Sequence, residues 1–331
     1  MNITYFLGAG ASARCLPVID EMPERLYALQ ANIANNKYSS YDDYQRDVIE
    51  PLEPKAKELI EDINWLIKEI KPHKTVDTLA KKFYLISNRH QDLMKLKRLL
   101  IIYFLYEQGL KGGEIRKGIT KETPDRRYDS FIASITNPSI NNTTLPGNFK
   151  IITWNYDLQF ELALREYRPG LKINDIQKEI QAIPSQYYLR NKVDVDFSKF
   201  VLVRLNGVAG IGKFKQDENS NLFGSFFDTK YHSLLSQIVQ YYSVLNMPKT
   251  QAEENDDLVF NYSWENADEF GNNLYGSINE IKQKAKYIMP ETELLVIIGY
   301  SFPYFNKHID KELFESFTKL KKIYIQDYKA D

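Results

Sequence analysis

Apolar positions fall into two rhythms along this chain. Short unbroken apolar runs end at glycine, asparagine or serine, and between them lie stretches with apolar residues three and four apart. Asn2 to Leu7 is such a run, halted at Gly8, and reads as a buried strand. A turn follows through Gly8–Ser12, and Pro17 and Pro23 punctuate the approach to the next helix. From about Glu24 to Ile135 the spacing is helical. Ala56–Ile70 aligns Leu59, Ile60, Ile63, Leu66, Ile67 and Ile70, and Val76–Ser87 aligns Val76, Leu79, Ala80, Phe83 and Ile86. Leu93–Gln108 and Tyr128–Ile135 continue the pattern, with loops at Gly109–Lys121 and Asn137–Asn148.

Strand character returns at Phe149–Thr153, followed by a helix from Leu158 to about Tyr167. Phe200–Leu205 is the next strand, residues 213–229 are polar and glycine-punctuated, and helices are expected at 231–245 and 277–287. Leu294–Ile298 is a buried strand, Ile309–Leu320 a helix, and Ile323–Ile325 a final strand. Strands alternating with helices predict an α/β fold, a doubly wound, mainly parallel Rossmann-like sheet. The chain reads as one domain over 1–331, with a large helical insertion over 25–145 and a mixed polar and helical insertion over 208–290.

Composition narrows this picture by exclusion. The 331 residues carry 43 basic and 44 acidic side chains, a net charge of -1, so no global nucleic-acid footprint is present. Cys15 is the single cysteine, which excludes a disulfide framework and a zinc ribbon and points to a reducing compartment. No basic start with a long apolar run opens the chain, and no run approaches the ~18 apolar residues of a bilayer span. A soluble, cytoplasmic protein with no membrane partner is expected. The histidines, His73, His90, His232 and His308, show no metal-ligand spacing, so no metal is expected.

The chemistry sits where the strands end, which is where ligands bind in such sheets. In Gly8-Ala9-Gly10-Ala11-Ser12, small residues let phosphates approach successive backbone N–H groups, and the Ser12 hydroxyl adds a donor. A tight strand-to-helix turn is the ordinary alternative, and the third glycine of the usual dinucleotide fingerprint is absent. In Thr153-Trp154-Asn155-Tyr156-Asp157, Asn155 can orient a water or ribose hydroxyl and Asp157 can serve as a base, or either can simply cap the next helix. Leu202-Val203-Arg204-Leu205-Asn206-Gly207 offers Asn206 as a site residue, or an ordinary Asn-Gly turn. Ile298-Gly299-Tyr300-Ser301-Phe302 places Gly299 and Ser301 for ribose or phosphate contacts, or is a plain strand exit. At the last strand's end, Asp327 could meet an adenosine ribose.

Taken in order, FLGAGAS…LP, TWNYD, RLNG and IIGYSF resemble the sirtuin-related family, nearest to its prokaryotic branch in antiviral defence. The resemblance covers 1–24, 149–207 and 294–327. It implies an NAD-binding fold in which Gly8, Ala9, Gly10, Ala11 and Ser12 hold the pyrophosphate, with Pro17 of the same motif among the cofactor-binding residues. It implies Asn155 beside the nicotinamide ribose, Asp157 near the carboxamide, and Gly299 and Ser301 on the adenosine side. Two departures matter. The zinc-binding cysteines of deacylases are missing, and Asn206 stands where the family carries its catalytic histidine. A carboxamide cannot take up a proton near neutral pH. The resemblance thus implies an NAD hydrolase acting in antiphage defence, with Asp157 or His308 in place of the missing base. The alternative is a catalytically weak NAD-binding module working with a separately encoded partner. Deacylation ranks last, and a homo-oligomer is a further expectation.

Overall fold

The computed structural model describes residues 1–16, 21–36, 52–73, 75–110, 124–136, 144–191, 194–215, 218–221, 234–246, 258–265 and 278–326. In chain order the elements are β1 (Ile3–Leu7), α1 (Met22–Asn35), α2 (Leu52–Ile70), α3 (Val76–Leu85), α4 (His90–Gly109), α5 (Arg126–Ile135) and β2 (Phe149–Thr153). Next come α6 (Gln159–Glu166), α7 (Ile173–Glu179), β3 (Ala182–Ile183), α8 (Gln186–Asn191), β4 (Val201–Arg204), β5 (Gly207–Lys215) and β6 (Glu218–Asn221). The chain closes with α9 (Leu234–Leu245), β7 (Leu258–Phe260), α10 (Ile278–Ile288), β8 (Leu294–Ile298), α11 (Lys307–Phe314) and β9 (Lys322–Gln326). The chain divides into two compact units, one of Met1–Cys15, Lys111–Gly224 and Asn255–Asp331, the other of Leu16–Leu110 and Ser225–Glu254.

The first unit is an α/β fold on a six-stranded parallel sheet of order β3-β4-β2-β1-β8-β9, as the strand and helix alternation predicts. Every described pairing in this sheet is parallel. Its inner strands are predominantly apolar because both faces are covered, with Thr4, Lys150 and Arg204 among the buried polar exceptions. Phe6, Ile152, Val203 and Ile297 share one buried cluster with Ile281, Ala285 and Ile288 of α10 and Ile309 and Leu313 of α11. Leu7, Ile151 and Leu202, which alternate with those residues, share the opposite cluster with Ile132 of α5, Phe160 and Leu164 of α6 and Ile176 of α7. So α5, which lies within 25–145, belongs to the core of the sheet unit. Its first turn is held by Asp125, whose side chain accepts from the Arg127 N–H at 3.0 Å.

A second, antiparallel sheet of order β6-β5-β7 follows Gly207, in a stretch whose polar pattern concealed strands. Gly207 has φ +79, so the Asn-Gly pair does turn the chain, and it turns it into β5.

The other unit is helical. α4 is buried nearly all round, at Leu93, Leu96, Leu99 to Tyr103, Leu105 and Tyr106, as a central helix must be. α2 and α9 both pack on it. Arg25 pairs with buried Glu107 at 3.4 Å, and the Asn32 side chain donates to the Tyr106 hydroxyl at 2.6 Å. Among the described residues no helix is long and apolar enough to cross a membrane.

Candidate functional site

The strand order reverses at β1. From there the chain adds β2, β4 and β3 on one side and β8 and β9 on the other, so β1 and β8 flank the switch point. Crevices beyond the carboxyl ends at such a point hold ligands in doubly wound sheets.

Glycine is required here by backbone contact. A Cβ on Gly8 would lie 2.6 Å from the Gly299 carbonyl oxygen, and one on Gly10 would lie 2.7 Å from the Gly299 Cα. Gly299 itself has φ +60, and a Cβ there would lie 2.4 Å from the Ala11 nitrogen. Gly8 donates to the Ile298 carbonyl at 3.0 Å and Gly10 to the Gly299 carbonyl at 2.9 Å, which ties the two strand exits together. Ala11 donates to the Gly8 carbonyl at 2.9 Å, inside a short 3-10 helix over Ala9–Ser12. These amides are thus engaged by the protein's own backbone, and Ala9 is the exposed residue of the turn. Arg127 adds a cation that no motif announced. Its guanidinium donates to the Gly10 carbonyl at 3.0 Å while holding Asp125 at 2.6 Å.

Ser12, Asn155 and Asp157 meet. The Asn155 amide nitrogen donates to the Gly8 carbonyl at 3.0 Å and to Ser12 Oγ at 3.3 Å, and Ser12 Oγ lies 3.1 Å from the Tyr128 hydroxyl. This fixes which way the carboxamide faces: its nitrogen is held by the β1 exit. Asp157 accepts from the Gln159 N–H at 3.0 Å in a local turn, while the residue at the N-cap of α6 is Leu158, so neither Asn155 nor Asp157 is the cap. It is also 7% exposed. Burial raises its pKa, while the Gln159 N–H, Ser12 and Arg204 oppose the rise. Burial and the Asp157 charge push the Tyr128 hydroxyl up as well.

Below this group lies an ion pair. Arg204 and Glu161, both fully buried, meet at 2.5 Å, and Arg204 Nε donates to the Asp157 carbonyl at 3.1 Å. The pair anchors the loop that carries Asn155 and Asp157.

Asn206 leaves β4 beside the β2 exit. Its amide nitrogen donates to the Tyr156 hydroxyl at 3.0 Å, while its Oδ1 is buried with no hydrogen-bond partner. The residue is 4% exposed, and an orphaned buried carbonyl carries a cost that a donor from a ligand would relieve. Tyr156 stands edge-on to Phe260 with ring centres 4.3 Å apart, and Tyr262 stacks on Trp264 at 5.0 Å.

A third group braces the two exits. Asp310 accepts from Trp154 Nε1 at 3.2 Å and from the Tyr300 hydroxyl at 2.6 Å, and Asn306 donates to the same hydroxyl at 3.1 Å. Burial pushes Asp310 up to about 6. Trp154 stacks on Tyr300, with ring centres 6.2 Å apart, which links the strands bearing Asn155 and Gly299. Sequence reading passed over Asp310, Tyr128 and Arg127; their role is set by partners 10 to 156 residues away.

Ser301 is exposed beyond β8. Phe302 next to it has φ +51, which is strained for an aromatic residue. His308 lies 3.1 Å from Glu312, its side chain 86% exposed, and it joins none of these groups. Pro17 and Asp327 lie outside the described residues. A cavity of about 340 Å³ opens at the amino ends of the strands, lined by Asn2, Thr4, Lys150 and Thr292 among others.

No family model, curated protein or solved structure matches this chain.

Proposed function

We propose that the crevice at the switch point binds NAD and that the chain hydrolyses it to nicotinamide and ADP-ribose. The observation that carries this reading is the buried, partnerless Oδ1 of Asn206 at the strand exit next to Asn155 and Asp157. A ribose hydroxyl or a carboxamide NH2 supplies the missing donor. Asn155, its nitrogen held by Gly8 and Ser12, offers its oxygen to the attacking water.

The reaction asks little of a base. Water attacks the anomeric carbon, the carbon–nitrogen bond breaks, and nicotinamide departs as a neutral pyridine. The water loses one proton, which Asp157 takes up. Its raised pKa makes its ionised form a better base than an ordinary carboxylate. The remaining demand is to position water and to stabilise an oxocarbenium-like centre, for which preorganised dipoles suffice. Arg127 stands beside the glycine turn, where a pyrophosphate would need charge.

A second reading is favoured by Asn206 itself. It has no nitrogen able to accept a proton, and its amide is committed to Tyr156. On that reading the site holds NAD without turnover and signals to a separately encoded partner. Either activity would suit a role in antiphage defence.

Incubation of the protein with NAD and chromatography for nicotinamide separates the two. Turnover that disappears in Asn155→Ala supports hydrolysis. Thermal stabilisation by NAD without turnover supports the binding module, and neither effect removes both readings.

A further inference from the structure

We propose that β9 is a self-pairing edge, through which two copies of this chain join antiparallel, centred on Tyr324.

The sheet ends at β9, yet β9 is not finished as an end. All five of its residues are exposed, with Ile323 at 46%, Tyr324 at 47% and Ile325 at 60%. Ile323 and Ile325 lie on one face and Tyr324 on the other, so both faces are open. Strands of parallel sheets are normally covered on both faces. An open edge with apolar side chains is a template for another strand.

The hydrogen-bond phase of that edge can be read. β9 pairs with β8 from Leu294↔Lys322 to Ile298↔Gln326, and Gly299 donates to the Gln326 carbonyl at 3.1 Å. Backbone groups alternate sides along a strand. Residues 322, 324 and 326 therefore turn their groups towards β8. Ile323 and Ile325 turn theirs outward, and no described strand takes them.

Outward groups must meet outward groups, which leaves three close registers for two copies running antiparallel. Centring on Ile323 sets Lys321 against Ile325, a charge against an apolar side chain, and centring on Ile325 pairs only Tyr324, Ile325 and Gln326 of the strand. Centring on Tyr324 sets Ile323 against Ile325 twice, Tyr324 against Tyr324, and Lys322 against Gln326. All five residues of the strand are paired in this register. The segment is thus chemically complementary to itself in a register that its backbone phase allows. A partner of other sequence would have to match by chance what a second copy matches by symmetry.

The test reads both association and register. Light scattering after size exclusion should give twice the chain mass at tens of micromolar, and Ile325→Lys should give the single mass with an unchanged circular dichroism spectrum. Tyr324→Cys should form a disulfide-linked dimer in air. Facing residues of a non-hydrogen-bonded antiparallel pair have Cα atoms about 4.5 Å apart, within disulfide reach. Ile325→Cys, which faces Ile323, should not crosslink, and the native Cys15 is buried and silent. A wild-type monomer, a dimer indifferent to Ile325→Lys, or crosslinking by Ile325→Cys in preference to Tyr324→Cys would each overturn the proposal.

Discussion

Replacing Gly299 by alanine tests whether the crevice at the switch point is built by backbone contact. Two separate costs arise. The residue has φ +60, and a left-handed conformation costs an L-residue roughly 1–2 kcal/mol. The new Cβ would also stand 2.4 Å from the Ala11 nitrogen and from the Gly10 carbonyl carbon, so backbone must move. Overpacking of that kind costs roughly another 1–3 kcal/mol. The sum is about 2–5 kcal/mol. Gly170 isolates the first term, since it has φ +90 but a Cβ there would meet nothing within 4 Å. Gly170→Ala should therefore cost only about 1–2 kcal/mol. Urea unfolding followed by circular dichroism measures both variants. Equal losses in the two would refute the claim that Gly8, Gly10 and Gly299 are required by mutual contact.

Arg204→Met should destabilise the protein by about 3–5 kcal/mol, because Glu161 is left as a buried, unpaired charge, and adding Glu161→Leu should restore most of the loss. Asp310 has its folded pKa raised to about 6 from 3.8, so the folded state holds the proton more tightly. Its contribution is present below the unfolded value and is lost as pH rises towards 6; the stability difference between wild type and Asp310→Asn should fall with pH across that window in denaturation series. NAD turnover should rise with pH on an acid limb displaced above the ordinary carboxylate range, since Asp157 must be ionised to accept the proton. Asp157→Asn should remove that limb together with most of the turnover.

Much of this protein was determined locally. Alternating strands and helices announce a doubly wound parallel sheet because burial on both faces demands mainly apolar strands: Leu294–Ile298 is apolar throughout, and Phe149–Thr153 is interrupted by Lys150 and ends in a threonine. Each strand-end motif is legible because sharp exits require glycine, asparagine or serine. Ser12, Asn155 and Asp157 could be named as companions from those motifs, and the fold does bring them into contact.

Other features depended on the tertiary structure. β5, β6 and β7 escaped notice because paired strands on a small antiparallel sheet need no apolar run. The glycines of the turn read as a phosphate cradle, yet their packing against Gly299 is decided by a strand that begins almost 300 residues later. Asp310 looks like any acidic residue on an amphipathic helix until Trp154 and Tyr300 close over it. The open edge of β9 likewise appears only once strand order is known, since the same apolar run would be core in the middle of the sheet. Periodicity records which side of an element is apolar. What that side meets is set by long-range contacts, which leave no local mark in the sequence.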